Sequence, residues 1–271
     1  MLNLDLISFA GAVAVLAAVF ALLWRLVRGR AKTPWWAAVR IAAMVFVALA
    51  VVAGCSYWLM NSRTVQVAGT LVSHAETSRK GVALTFDDGP SGEYVGEVLG
   101  DLAAHDAKGT FFVIGEVAQK DPAALRKLVA AGHEVGNHSY THRRLVGVSV
   151  DDVAGEVEKA DAVIRAAGYR AEILFRPPYC KKLVSEPYYL ATHDRTSVTW
   201  SLEPDSMCSL AGDPRAMADY VVANARPGSI ILLHPWSASG DASRRALPLI
   251  LEGLAAKGYS FVTVSELLAS R

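Results

Sequence analysis

The sequence is poor in cysteine, carries no net excess of charge and shows neither an internal repeat nor a low-complexity stretch. Three cysteines in 271 residues are too few for a disulfide-built scaffold. Lysine and arginine (27) balance aspartate and glutamate (26) to a net charge of +1, so the composition offers no reason to expect a nucleic-acid partner. Apolar residues make up 52% of the chain, which excludes a disordered protein. Two stretches lack charge altogether, residues 7–24 and residues 41–60. The chain has the length of one or two domains, and from residue 61 onward its composition is ordinary and it is long enough for one large core.

Each uncharged stretch approaches the ~20 residues that cross a bilayer. Between them residues 25–40 hold Arg25, Arg28, Arg30, Lys32 and Arg40. Basic residues stay on the cytoplasmic side of short loops. The expectation is two transmembrane helices in an anchor over 1–60, a cytoplasmic loop at 25–40, a juxtamembrane linker at 61–80 and an extracytoplasmic domain over 81–271. Trp35, Trp36, Tyr57 and Trp58 then fall at the interfaces. The competing reading is a pair of helices buried in a soluble core. A third treats Val52-Ala53-Gly54-Cys55 as a lipoprotein processing box, although the apolar run continues past Cys55.

After residue 80 short β-rich runs alternate with amphipathic stretches. Strands are predicted at Val82–Phe86, Thr110–Ile114, Glu134–Asn137, Ile173–Phe175, Ser197–Trp200, Ser229–Leu233 and Ser260–Val264. Helices are predicted over Tyr94–His105 and Asp151–Ala167. Asp121-Pro122 and Asp213-Pro214 read as N-caps followed by proline at the first helical position, and Gly132, Gly168 and Gly258 as helix stops. Seven β/α units imply a parallel sheet, open or closed into a barrel.

The unusual polar residues all follow strands. Asp87 and Asp88 follow the first, His138 and His142 the third, Arg176 the fourth, Glu203 and Asp205 the fifth and His234 the sixth. In parallel α/β folds that end of the sheet carries the site. His138 and His142 share a face if the turn between them is helical, and two histidines with a carboxylate form a common zinc set. Two surface histidines are the bland alternative, and for His234 a hydrogen-bonded core residue. Adjacent carboxylates repel, and a cation bound to one of them relieves the conflict. A metal can then bring the pKa of a bound water to roughly 7 and polarise a carbonyl, with the free aspartate taking a proton and a histidine returning one.

Thr85-Phe86-Asp87-Asp88-Gly89-Pro90, His138-Ser139-Tyr140-Thr141-His142, Arg176-Pro177-Pro178-Tyr179 and Leu232-Leu233-His234 occur in that order. They resemble the motifs of the polysaccharide deacetylase family (NodB-type, carbohydrate esterase family 4), over about residues 80–268. The stretch from Tyr57 resembles the juxtamembrane part of bacterial membrane-anchored members. The resemblance implies a distorted (β/α)7 barrel and hydrolysis of N-acetyl groups on an extracytoplasmic amino-sugar polymer at the cytoplasmic membrane, a metal-bound water attacking the acetamide carbonyl. It implies Asp87 as general base, Asp88, His138 and His142 as ligands of a divalent metal (zinc first, with cobalt, nickel or manganese possible), and His234 as general acid. Arg176 would pair with Asp87, the Tyr179 backbone N–H would face the oxyanion, and Trp200 and Leu232 would line the acetyl pocket. Asp205, with Glu203 as the alternative, would tune His234.

The chain departs from the family at two places. Cys180 stands where the family has glycine, and the run from Trp200 to Met207 lacks the usual terminal tryptophan. Cys180 and Cys208 follow neighbouring strands, and a disulfide between them is an expectation. Peptidoglycan, a secreted poly-N-acetylglucosamine and chitin oligosaccharides all fit as polymers; the oligomeric state is open. Two other functions compete, a catalytically silent carbohydrate-binding relative and a small-molecule amide or ester hydrolase on the same scaffold.

Overall fold

A computed structural model describes residues 34–270, together with residues 20, 21, 24 and 25. The chain divides into two compact units at Ser62/Arg63. In the first unit, α1 (Pro34–Asn61) begins with proline at its first position, where the missing N–H costs nothing. It therefore takes in Trp35, Trp36 and Arg40, which the sequence had assigned to the charged loop. Its span Trp35–Asn61 is long and apolar enough to cross a membrane, with a mean hydropathy of 2.4 and none of it buried. Cys55 lies inside this helix. The other expected span, 7–24, lies outside the described residues except at positions 20, 21 and 24.

The second unit is an α/β fold on parallel strands. Its strands are β1 (Leu71–Val72), β2 (Gly81–Gly89), β3 (Gly109–Val113), β4 (Glu134–Asn137), β5 (Ser197–Val198), β6 (Ile230–Leu233) and β7 (Ser260–Phe261). The helices are α2 (Val95–Ala104), α3 (Gly115–Lys120), α4 (Pro122–Ala130), α5 (Val150–Ala166), α6 (Ser185–Thr192), α7 (Pro214–Asn224), α8 (Asp241–Ala256) and α9 (Val264–Ala269). The order across the main sheet is β4-β3-β2-β6, and β7 also pairs with β2. The central strand β2 is buried at every position but Asp88, as a strand covered on both faces must be. Phe86, Phe111 and Leu84 anchor the larger apolar cluster beneath α2, α4 and α8. Asp121 and Asp213 do cap α4 and α7, accepting from Ala124 N–H at 3.0 Å and from Arg215 and Ala216 N–H at 3.0 Å.

Two expectations change. Ile173–Phe175 forms no strand. Phe175 alone makes single parallel bridges, to Asn137 and to Ser197, and Leu202 makes another to Ile231. A bridge at one register position on each side is not a ladder, so six of the seven predicted runs hold strands and the run Ile173–Phe175 does not. Residues 71–75, inside the stretch expected to be a linker, carry β1, which pairs with β5, and the buried Val72 and Ala75.

Candidate active site

Asp87 and Asp88 end β2 on opposite sides of its pleat. Asp87 is buried and Asp88 half-buried. Asp87 Oδ1 accepts from Arg176 Nη1 at 2.6 Å. Arg176 is itself fully buried, and it also donates to Thr85 Oγ1 at 2.9 Å and to the carbonyls of Val198 at 3.2 Å and Thr199 at 3.1 Å. Its guanidinium lies 4.0 Å from the Phe112 ring and 5.5 Å from the Trp200 ring. An unpaired charge at this depth would cost several kcal/mol, and these partners offset it. Burial raises the Asp87 carboxyl above its ordinary value, with Arg176 and then His234 pulling it back. Asp87 Oδ2 is left facing His138 Nε2 at 3.6 Å.

Asp88 turns the other way, at a φ of 73°. Its Oδ1 lies 3.2 Å from His142 Nε2 and 3.6 Å from His138 Nε2, yet this buried oxygen has no hydrogen-bond partner. Buried polar atoms are rarely left so. The tautomer of His138 follows from its other nitrogen. Nδ1 lies 2.7 Å from the Arg176 carbonyl, which can only accept, so Nδ1 carries the proton and Nε2 a lone pair. Burial pushes the imidazole down to about 3 despite Asp88, so it stays neutral. Two imidazoles and an orphaned carboxylate oxygen with all ligand atoms within 4.8 Å suit a divalent cation of the zinc type.

The two histidines do not meet by helical spacing, because residues 138–142 are irregular. Ser139 and His142 take left-handed φ values of 62° and 60°, which fold the loop back on itself. Glu156 of α5 holds it there, accepting from the N–H groups of Tyr140 at 3.0 Å and Thr141 at 2.8 Å and from the Thr141 hydroxyl at 2.8 Å. Tyr179 and Cys180 are also left-handed, both at 58°. Among the described residues, five of the seven positive-φ residues other than glycine thus lie at this site, and such backbone strain clusters where function over-determines geometry. Cys180 occupies its glycine-like conformation at a steric cost of about 1–2 kcal/mol. Its thiol is buried with Trp200 and Leu232 in one apolar cluster, whereas Cys208 is exposed, and no disulfide joins them. The Tyr179 ring is half-exposed and packs 4.5 Å from the His142 ring.

Across the mouth, Asp205 is the carboxylate that meets His234. Its Oδ2 accepts from the His234 backbone N–H at 2.7 Å and from Ser243 Oγ at 2.9 Å, and both oxygens lie 3.3 Å from His234 Nδ1. Burial pushes His234 down, but the bond to Asp205 and its charge outweigh that and hold the imidazole up at about 9. Asp205 shifts down in return: burial opposes this, and its bonds with His234 prevail. Glu203 accepts instead from Trp200 Nε1 at 2.7 Å. The sequence reading missed Thr85, Glu156 and Ser243. Thr85 was visible as the inward neighbour of Asp87 by strand alternation; the two helix residues had no local signal.

The polysaccharide deacetylase family profile matches residues 74–194. A peptidoglycan-N-acetylglucosamine deacetylase of Bacillus cereus is 34% identical over 188 residues, 69% of this chain and 67% of the relative. A chitooligosaccharide deacetylase of Sinorhizobium fredii is 38% identical over 199 residues, 69% of this chain and 92% of the relative. Among solved structures, a peptidoglycan N-acetylglucosamine deacetylase bound to a naphthyl N-oxidanyl-benzamide superposes with a TM-score of 0.68 at 30% identity, covering 73% of this chain and 92% of that one. A family 4 pseudoenzyme from Bacillus anthracis superposes with a TM-score of 0.67 at 26% identity, covering 73% and 69%.

Proposed function

The chain belongs to the polysaccharide deacetylase family, and on that premise we propose that it is a metal-dependent hydrolase that removes N-acetyl groups from the amino sugars of an extracytoplasmic polysaccharide, peptidoglycan or an exopolysaccharide. The observation that carries this is the orphaned Asp88 Oδ1 facing two imidazole nitrogens, flanked by a carboxylate locked to an arginine and a histidine locked to a carboxylate. Asp88, His138 and His142 hold the cation. When bound, a zinc-type ion supplies a Lewis acid for the acetamide carbonyl and acidifies water beside it. Zinc suits the donor set first, and cobalt, nickel or manganese are the other candidates.

The chain's own groups divide the proton work. Asp87 Oδ1 is committed to Arg176, so Oδ2 takes the proton of the attacking water. His234 Nδ1 is committed to Asp205, so Nε2 donates to the leaving nitrogen. The Tyr179 N–H stands by the developing oxyanion, a kind of contact worth about 3 kcal/mol. Trp200 and Leu232 enclose the methyl group. We take the single bridges at Phe175 and Leu202 as the closure of the sheet into a distorted barrel, and α1 as a membrane anchor that keeps the domain at the cytoplasmic membrane on its outer side.

The test is acetate release by the purified protein from peptidoglycan, poly-N-acetylglucosamine and chitin oligosaccharides. Release should stop with a chelator and return with zinc. A pseudoenzyme among the solved relatives keeps the silent carbohydrate-binding reading in play. Binding without acetate release from any polymer would establish that reading and end the hydrolase one, and release only from small amides or esters would point to the third function.

A further inference from the structure

We propose that Arg144 selects substrates in which a carboxylate lies on the glycan beside the acetamide being cleaved. The proposal rests on the deacetylase reading above and adds a charge preference to it. Arg144 is exposed, and its guanidinium lies over the Tyr179 ring at 5.0 Å. That ring packs in turn 4.5 Å from the ring of His142. Three groups in contact thus run from the proposed metal-holding His142 outward to a cation at the rim of the mouth.

The neighbouring arginine shows why Arg144 is the notable one. Arg143 is spent on Asp152 at 3.0 Å and Glu156 at 3.5 Å, the carboxylates that brace the start of α5 and the histidine loop. Arg144 pairs with no carboxylate among the described residues. An arginine lying on a ring face keeps its N–H edge outward and loses little further freedom when that edge binds. Its fork matches a carboxylate with two parallel bonds. Arg63 repeats the arrangement 5.5 Å over the Trp200 ring, again exposed and at an aromatic residue of the site. Two guanidiniums thus lie on two aromatic residues of one site, and only the one at Trp200 has a carboxylate, Glu203, on the same ring. A neutral glycan such as chitin gives these cations no carboxylate to bind. A glycan with lactyl or peptide carboxylates does.

The experiment compares full-length wild type, Arg144→Gln and Arg144→Lys on three glycans of equal length: a peptidoglycan fragment with free carboxylates, the same fragment with its carboxylates amidated, and a chitin oligosaccharide. Acetate release gives kcat and KM, and isothermal titration gives binding without turnover. Wild type should favour the free-acid fragment over the amidated one by about tenfold in KM. Arg144→Gln should erase that ratio, and Arg144→Lys should restore part of it. Equal losses on all three glycans would overturn the proposal, since they would mean that Arg144 only supports Tyr179. An unchanged preference in Arg144→Gln would overturn it too. Charge-dependent binding that needs Arg144, with no acetate released from any glycan, would support the proposal and sink the hydrolase reading. Acetate release blind to charge in wild type would do the reverse.

Discussion

The two sides of the mouth hold histidines of opposite character. His138 is buried, and its Nδ1 meets a backbone carbonyl; His234 is half-buried, and its Nδ1 meets Asp205. Burial pushes both imidazoles down. For the fully buried His138 neither Asp88 at 3.6 Å nor the partial charge of the carbonyl reverses that, and it sits at about 3. A carboxylate with a full charge, itself held by Ser243 and the His234 N–H, reverses it, and His234 sits at about 9. The first histidine is thereby a lone-pair donor at neutral pH and the second a proton donor. The same side chain is set to two tasks by the partner on the nitrogen that does not do the work.

Removing the lone-pair donor should have the largest effect. His138→Ala is expected to lose bound metal and activity together, read by metal analysis and acetate release on the same preparation. Full metal content in that variant would overturn the ligand assignment. Asp88→Asn should weaken metal binding in the same way, whereas Asp87→Asn should keep the metal and lose 10²–10⁴-fold in turnover, the range for a missing general base. Metal lost from Asp87→Asn but kept in Asp88→Asn would exchange their roles.

Converting the second histidine into something closer to the first is a finer test. Asp205→Asn should let His234 fall from about 9 towards 6.5, so the alkaline limb of the rate profile moves to lower pH and the rate near pH 8 drops by up to roughly thirtyfold. The sign for stability follows from linkage. Because the folded-state pKa of His234 lies above its unfolded value, the pair's contribution is full below about pH 6.5 and is lost as pH rises through about 9. Asp205, shifted down, loses its share only as acid protonates it. The difference in Tm between wild type and Asp205→Asn should therefore be widest near neutrality and close in alkali. A gap that stayed constant with pH would mean that Asp205 acts through packing alone. Ser243→Ala should have the smallest effect, about 1 kcal/mol of stability and less than tenfold in turnover, with the alkaline limb moved less than in Asp205→Asn.

The pattern of strands and helices was readable because burial on both faces leaves a clear mark, as at Val82–Phe86 and Ile230–Leu233. It failed at Ile173–Phe175, where an apolar run of three has the composition of a strand but only Phe175 meets its neighbours in register. It also failed at 71–75, where the partner that makes β1 a strand is more than a hundred residues away. The site followed the same division. Each carboxylate, histidine and arginine assigned to the metal or to proton transfer was visible as a polar residue after a predicted strand; Arg63 and Arg144 were not. Glu156 and Ser243 were not, because each is one polar helix residue among many until the fold shows what it touches.

The sequence by itself determined which residue types stand at the ends of which strands, since hydrophobic periodicity and chain order place them before any contact is known. The tertiary structure alone decided how those residues divide the work. It gave Asp205 rather than Glu203 to His234, because Trp200 takes Glu203. It brought His138 and His142 together through left-handed turns rather than a helix, and it kept Cys180 in the apolar cluster away from Cys208. These outcomes turn on distances of a few ångströms between residues far apart in the chain. Such distances are set by packing the whole core at once, and local sequence carries no record of them.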